Sequence, residues 1–320
     1  MTFSPPAPRR VRSAAGLTSL AAVGALLVSG CSSPPPAEEP TGSAAERAWT
    51  IAVGEHELDQ TIANVYALAL TSRESPTVVE PQEQATGALV TEGGANLVIG
   101  RTMALAQQLD QEGWAALDQP SSADLVALIE GGLDDDAELL DPSAAVLDSA
   151  LVITSITAEE RELSTAGEVA DPEFADACDE LRIGVRPDLP DPAPLLAEVY
   201  DCEPAAISVA GEDELVRGVI SARLDAAILT ASHPSIEEQR LVALTDAERA
   251  FPQEQFIPVV STEVAEGVPE ITAELAQALD DDALVTLRRL TDGDQGLGPQ
   301  EAAEYWLVQE GFIAEPEDWG

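Results

Sequence analysis

The 320-residue chain carries 59 acidic side chains against 15 basic ones, for a formal net charge of −44, with 45 % hydrophobic residues. So negative a surface repels nucleic acid and anionic lipid headgroups, which disfavours nonspecific binding to either. The apolar content supports one large or two smaller domains with real cores and argues against disorder over most of the length. Every basic residue is an arginine.

At the amino end, Arg9, Arg10 and Arg12 precede an uncharged apolar run, Ala14 to Val28, the layout of a secretory signal and too short to span a bilayer comfortably. The run ends at Val28-Ser29-Gly30-Cys31, small residues followed by a cysteine. This segment resembles the bacterial lipoprotein box. That likeness implies that residues 1–30 are a lipoprotein signal peptide and that Cys31 is lipidated as the mature amino terminus. An ordinary signal peptide or an amino-terminal anchor with an incidental cysteine is the alternative. Residues 31–48 are rich in Pro, Ser, Glu and Gly and read as a flexible tether. The chain from Trp49 onward is then expected at the extracellular face of the cell membrane, held there through the lipid on Cys31.

From Trp49, "WTIAV" has the pattern of a strand, and "LDQTIANVYALAL" places Ile62, Val65, Tyr66, Ala69 and Leu70 at helical spacing. "PTVVEP" reads as a strand, "EQATGALVTEG" as a helix and "ANLVIGR" as a third strand. A second such series follows. "AVLDSALVITS" is read as strand, "FADACDEL" as helix, "LRIGVRP" as strand, "PAPLLAEVY" as helix and "AAISVA" as strand. "GEDELVRGVISAR" is then a helix and "LDAAILTAS" a strand. After "FIPVVS" the chain turns helical, in "PEITAELAQALDDDALVTLRRL" and "GPQEAAEYWLVQEGF". Alternation of this kind predicts an α/β protein of two lobes, each a sheet covered by helices.

Three cysteines need places. With Cys31 lipidated, Cys178 and Cys202 remain as an even pair in an oxidising compartment, where a disulfide is the expectation, contributing about 3 kcal/mol in the chain-entropy model. Two buried free thiols are the alternative. His56 and His233 are the only histidines. "HELDQ" therefore lacks the second histidine of a zinc-protease helix, and the sequence has no Gly-x-Ser-x-Gly elbow and no glycine-rich phosphate loop. No enzyme, cofactor or metal centre is expected. "DGDQG", Asp292 to Gly296, has the flavour of a calcium loop, but Leu297 stands where an EF-hand needs glycine, and an interhelical turn is the plainer reading.

The order of "LDAAILTAS", "LVALTDAERAFPQEQFIPVVS", "GVPEITAELAQAL" and "GPQEAAEYWLVQEGFI" resembles the substrate-binding proteins of ABC importers for glycine betaine, choline and related quaternary amines. The opening "VGEHELDQTIANVYALAL" fits the same family, with Gln60, Ile62 and Tyr66 in the expected places, and the likeness runs from about Trp49 to Ile313. It implies the two-lobed periplasmic-binding-protein fold (type II), with lobes joined by two crossover strands. These are expected near Ala150 to Ile153 and Ile257 to Val260. Residues 49–151 with 258–320 would form lobe 1, and 152–257 lobe 2. The partners implied are a small-molecule ligand and the ABC permease of the same transporter, with the receptor a monomer. The implied ligand is an osmolyte such as glycine betaine, choline or proline betaine. A lipoprotein that keeps the fold but serves as a protein-interaction module is the competing reading.

Quaternary ammonium has no N–H donor and is held by aromatic faces, yet the family's aromatic positions are not aromatic here. Arg101, followed by Thr102, stands after the third strand. Leu147, Asp148 and Ser149 enter the first crossover, and the first loop reads Glu55, His56, Glu57. An arginine that clamps a carboxylate and an aspartate that accepts from an ammonium suit another zwitterion, such as an amino acid. The candidate ligand-binding residues are Arg101, Thr102, Asp148, Ser149, His56, Gln60 and Thr230. On this reading Arg101 anchors the ligand, and its removal would abolish carboxylate binding without changing the stability of the empty protein. The plainer alternative makes Arg101 and Asp148 surface charges or members of a structural ion pair, and Tyr66 a core residue.

Overall fold

The computed structural model describes residues 48–117, 121–163, 177–187, 189, 191–244, 251, 253–291 and 296–316. Cys31, the signal, the tether up to Arg47, Phe174 to Asp176 of "FADACDEL" and Asp292 to Gln295 lie outside them.

Among the described residues, ten strands form two five-stranded sheets. In the first, β1 (Trp49–Gly54), β2 (Thr77–Gln82) and β3 (Leu97–Arg101) run parallel, joined through the helix Glu57–Ser72 and a short helix Ala88–Thr91. β4 (Ala137–Leu139) lies at the far edge. β10 (Phe256–Ser261) inserts antiparallel between β3 and β4, giving the order β2-β1-β3-β10-β4. The second sheet repeats the plan with β5 (Ser149–Ile153), β6 (Arg182–Val185), β7 (Ala206–Val209), β8 (Ala226–Thr230) and β9 (Val242–Leu244), in the order β7-β6-β8-β5-β9. Here β5 is the antiparallel member, between β8 and β9.

The apolar spacing that marks Glu57–Ser72 as a helix is its packing face: Ile62, Val65, Tyr66, Ala69 and Leu70 are fully buried. They meet Trp306 and Leu307 of the helix Pro299–Gln309 and Leu284 and Leu287 of the helix Asp281–Thr291 in the largest core cluster. Burying a large apolar side chain contributes about 1.5–3 kcal/mol, so this three-helix layer is a main source of first-lobe stability. The second lobe has cores on both faces of its sheet, one around Leu151, Ile183, Leu196 and Ile228 and the other around Val152, Leu215, Val219 and Leu229. In the first of them Cys178 and Cys202 are joined as a disulfide with Cα atoms 5.5 Å apart. Gly100 and Gly184 lie where a helix leans onto its strand. A Cβ there would fall 2.7 Å from Leu105 Cδ1 and 2.5 Å from Leu215 Cδ2, respectively.

The chain passes from lobe to lobe just before β5 and returns just before β10. The two passages touch at an antiparallel bridge, Leu147 to Glu254, with Leu147 N–H donating to the Glu254 carbonyl at 2.6 Å. The segments 150–153 and 257–260 themselves sit wholly within their own sheets, so the crossing between lobes falls a few residues earlier than the sequence suggests.

Local assignments differ in two places. The helix expected over "EQATGALVTEG" contracts to Ala88–Thr91. The long helix expected from Pro269 to Leu290 is two, Ile271–Ala278 and Asp281–Thr291. Asp280 ends the first by capping the second, its Oδ1 accepting from Ala283 N–H at 2.9 Å. Carbonyls freed at the break, those of Ala276 and Leu279, accept from Ala144 and Ala145 N–H at 2.7 and 2.8 Å. The break thus ties these helices to the segment that enters the outgoing passage.

Candidate functional site

The parallel strands of both sheets point their carboxyl ends at one cleft, where ligands of open α/β sheets bind. A cavity of about 310 Å³ occupies it, with one wall from each lobe. His56 comes from the turn after β1, Glu57 and Leu58 from the start of the helix Glu57–Ser72, Arg101 from the end of β3, and Arg288 and Thr291 from the helix Asp281–Thr291. Facing them are Arg186 and Pro187 after β6, Gly211, Glu212 and Asp213 after β7, Thr230 at the end of β8 and His233 just after it. A second cavity of about 250 Å³ shares His56 and Arg101 with the first and continues along Asp59, Glu83 and Glu254, so the Arg101 side chain divides the cleft in two.

Two charged clusters set the electrostatics. Arg101 donates from Nη2 and Nε to Asp59 Oδ1 at 2.7 and 2.9 Å, and its Nη1 lies 3.3 Å from Glu254 Oε1. Its guanidinium also sits 5.7 Å from the centre of the buried Phe256 ring. Asp59 stands in the first turn of the helix Glu57–Ser72, where the helix dipole favours a carboxylate. Glu254 belongs to the returning passage, so Arg101 is fastened to a helix and to the interlobe connection together.

The second cluster spans the cleft. Glu212 opens the helix Glu212–Ile220 and takes a 2.6 Å bond from Arg288 Nη2, with Arg186 Nη1 at 3.5 Å. The Thr230 N–H donates to the same carboxylate at 2.7 Å, and Arg186 donates to the Thr230 hydroxyl. Burial pushes the Glu212 carboxyl up, but Arg288, Arg186, the Thr230 N–H and His233 together outweigh it and hold the group at about 2. His233 is pushed down, by burial first and then by Arg288, against the opposing pull of Glu212. Its Nδ1 accepts from Ser235 N–H at 3.2 Å, which puts the proton of the neutral ring on Nε2.

Of the residues singled out from sequence, His56, Arg101 and Thr230 come together around the main cavity. The other four turn elsewhere. Thr102 is fully buried, with its Oγ1 accepting from Gln255 N–H at 3.0 Å to brace the returning passage. Gln60 spends its amide on the Glu55 carbonyl at 2.8 Å. Asp148 and Ser149 line a different hollow of about 240 Å³ with Phe251 and Gln253. Tyr66 is a core residue, fully buried, and its hydroxyl is pushed far up by burial and by Asp141.

Arg186, Glu212, His233 and Arg288 are the site residues that sequence reasoning passed over. A signal existed for Arg186: "RIGVR" closes β6 with an arginine as "LVIGR" closes β3. Arg288 had none, since "LRRL" on an amphipathic helix reads as a solvated face.

A family model described as the substrate-binding domain of an ABC-type glycine betaine transport system matches residues 50–309. Among solved structures, a crystal structure of a glycine betaine/carnitine/choline ABC transporter superposes with a TM-score of 0.68 at 18 % identity, covering 83 % of this chain and 99 % of its own. Ligand-free YehZ from Escherichia coli follows with 0.63 at 15 % identity, covering 83 % and 99 %. The lactococcal OpuAC in its closed form with glycine betaine gives 0.53 at 13 % identity, covering 83 % and 96 %. At these identities the structures establish a shared two-lobed fold. No curated protein matches the sequence.

Proposed function

The chain belongs to the family of substrate-binding domains of ABC-type glycine betaine transport systems, and from that premise we propose that it is a lipid-anchored receptor for a small zwitterion carrying N–H donors. The family consists of extracytoplasmic substrate-binding transport proteins, and among the described residues no helix is long and apolar enough to cross a membrane. The observation that carries the ligand assignment is the lining of the main cavity. Among the described residues it holds three arginines, three carboxylates and two histidines, and no Phe, Tyr or Trp. A quaternary ammonium would meet no aromatic face there, whereas a carboxylate and a protonated amine would each meet charges of the opposite sign. A volume of about 310 Å³ suits a ligand of amino-acid size.

A thermal-shift and calorimetry screen checks this against glycine betaine, choline, carnitine, proline and charged amino acids. Ligands with both a carboxylate and an N–H donor are expected to raise the melting temperature, by an amount equivalent to about 2.7 kcal/mol at a hundredfold excess over Kd. Binding confined to the quaternary amines would overturn the assignment.

Attachment through Cys31 is supported by the order of basic segment, apolar run and small-residue box. Cys31→Ala is expected to leave the precursor unprocessed or to release the protein from the membrane fraction, as read by immunoblot of fractionated cells. A fully processed, membrane-bound variant would count against lipidation.

A further inference from the structure

The helix Asp281–Thr291 is packed into the first lobe through Ala283, Leu284 and Leu287, yet both of its ends reach outside that core. At its start, Asp281 Oδ1 accepts from Val146 N–H at 3.3 Å, next to the bridge where the passages cross. Toward its other end, about 11 Å along, two consecutive arginines face the second lobe. Arg288 is bonded to Glu212, with side-chain exposures of 10 % and 19 %. Arg289 pairs with Glu237 and lies 3.9 Å from Glu238, on the exposed helix Ser235–Glu238.

We propose that this helix is a built-in latch holding the lobes together in the ligand-free protein, with Arg288 on Glu212 as its buried half and Arg289 on Glu237 and Glu238 as its exposed half. The two halves differ in kind. The exposed pair is screened by salt and holds weakly. The buried pair is protected from screening, and breaking it strands charge away from water. Arg288 and Thr291 also form part of the cavity wall, so the contact that joins the lobes closes one side of the ligand space. Glu212 contacts Arg186 on the opposite wall as well, so the latch and the ligand-facing surface of the second lobe share one carboxylate. A closed state favoured in this way raises the apparent affinity of any ligand that binds it selectively, because less free energy is spent on closure. The inference stands apart from the identity of the ligand.

Disulfide trapping in the full chain, without ligand, tests it. Arg289→Cys with Glu237→Cys removes the exposed pair and places one thiol on each side of the gap. Under mild oxidation the cross-link is expected to form readily, as read by mass spectrometry of a non-reduced digest. Adding Arg288→Gln should slow it about tenfold or more, since the remaining tie between the lobes is lost. Glu212 keeps Arg186 and the Thr230 N–H in that variant, which preserves the fold of the second lobe. Arg288→Lys, which retains the charge, should restore most of the rate and so separates latching from misfolding. Failure of the parent pair to cross-link, or a rate indifferent to residue 288, would overturn the proposal.

Discussion

Replacing Arg101 with alanine is expected to destabilise the empty protein by about 3–5 kcal/mol, the range for removing one partner of a buried charge pair. The side chains of Arg101, Asp59 and Glu254 are only 17 %, 11 % and 9 % exposed. Removing the guanidinium leaves two carboxylates close together and poorly solvated, while the cation contact to Phe256 is also lost. The ligand-anchor reading of the sequence leaves the fold unaffected by the deletion, whereas the structural ion pair considered beside it implies a loss of stability. Urea denaturation of the two proteins measures the difference. Asp59→Asn introduced into the Arg101→Ala background should recover at least about 1 kcal/mol, since it removes one of the stranded charges. A variant as stable as the parent would mean that Arg101 is a replaceable surface group.

A comparable effect is expected from acid at Glu212. Its carboxyl is held at about 2 against an ordinary value of 4.5, so its folded-state pKa is depressed. A group of that kind contributes stability that is complete above its unfolded value and is lost as pH falls toward the folded one. The window here runs from about pH 5 down to pH 2, with about 2 kcal/mol lost by pH 3 and about 3 kcal/mol by pH 2. The charged groups facing this carboxylate are Arg288 from the first lobe and, from the second, Arg186, His233 and the neighbouring Asp213. His233 is held below its ordinary value, by burial first and then by Arg288, so it too gains its proton in acid. Comparing the parent with Glu212→Gln at each pH cancels the general effect of neutralising the acidic surface. The stability gap between the two should narrow as pH falls from 5 to 3. A constant gap would show that Glu212 is not held as a charged group.

Much of the architecture was legible because the physics that sets it is local. The apolar runs of β1, β3, β6 and β8 are buried strands, and the Ile62–Leu70 face is a buried helical stripe. The three-residue edge strands β4 and β9 were not read, since "AEL" and "VAL" are too short to display a period. Helices between Thr102 and Gly132 also went unread. The break at Asp280 depends on carbonyls captured by Ala144 and Ala145, contacts that span more than a hundred residues and leave no mark in the local pattern. For the cleft, the family resemblance pointed to the first loop and to the end of the third strand, and His56 and Arg101 there line the main cavity together with Thr230. It could not report which way Asp148 and Ser149 face, because a one-residue difference in strand register reverses the direction of a side chain. Nor could it pair Glu212 with Arg288, a partnership created wholly by the approach of the lobes.

The position of β10 also dictates an order of assembly. It is the strand that joins β3 to β4, yet it is made only after the whole second sheet, whose strands run without interruption from Ser149 to Leu244. As the polypeptide emerges amino end first, the second lobe has all its strands while the first still has a gap at its centre, flanked by the unpaired edges of β3 and β4. Those edges are open to wrong partners until residues 256–261 arrive. The late-made helices Asp281–Thr291 and Pro299–Gln309 then cover the hydrophobic face of Glu57–Ser72. Truncation after β9 would therefore leave an exposed sheet edge and a bare apolar helix, a substrate for chaperones and proteases rather than half of a receptor.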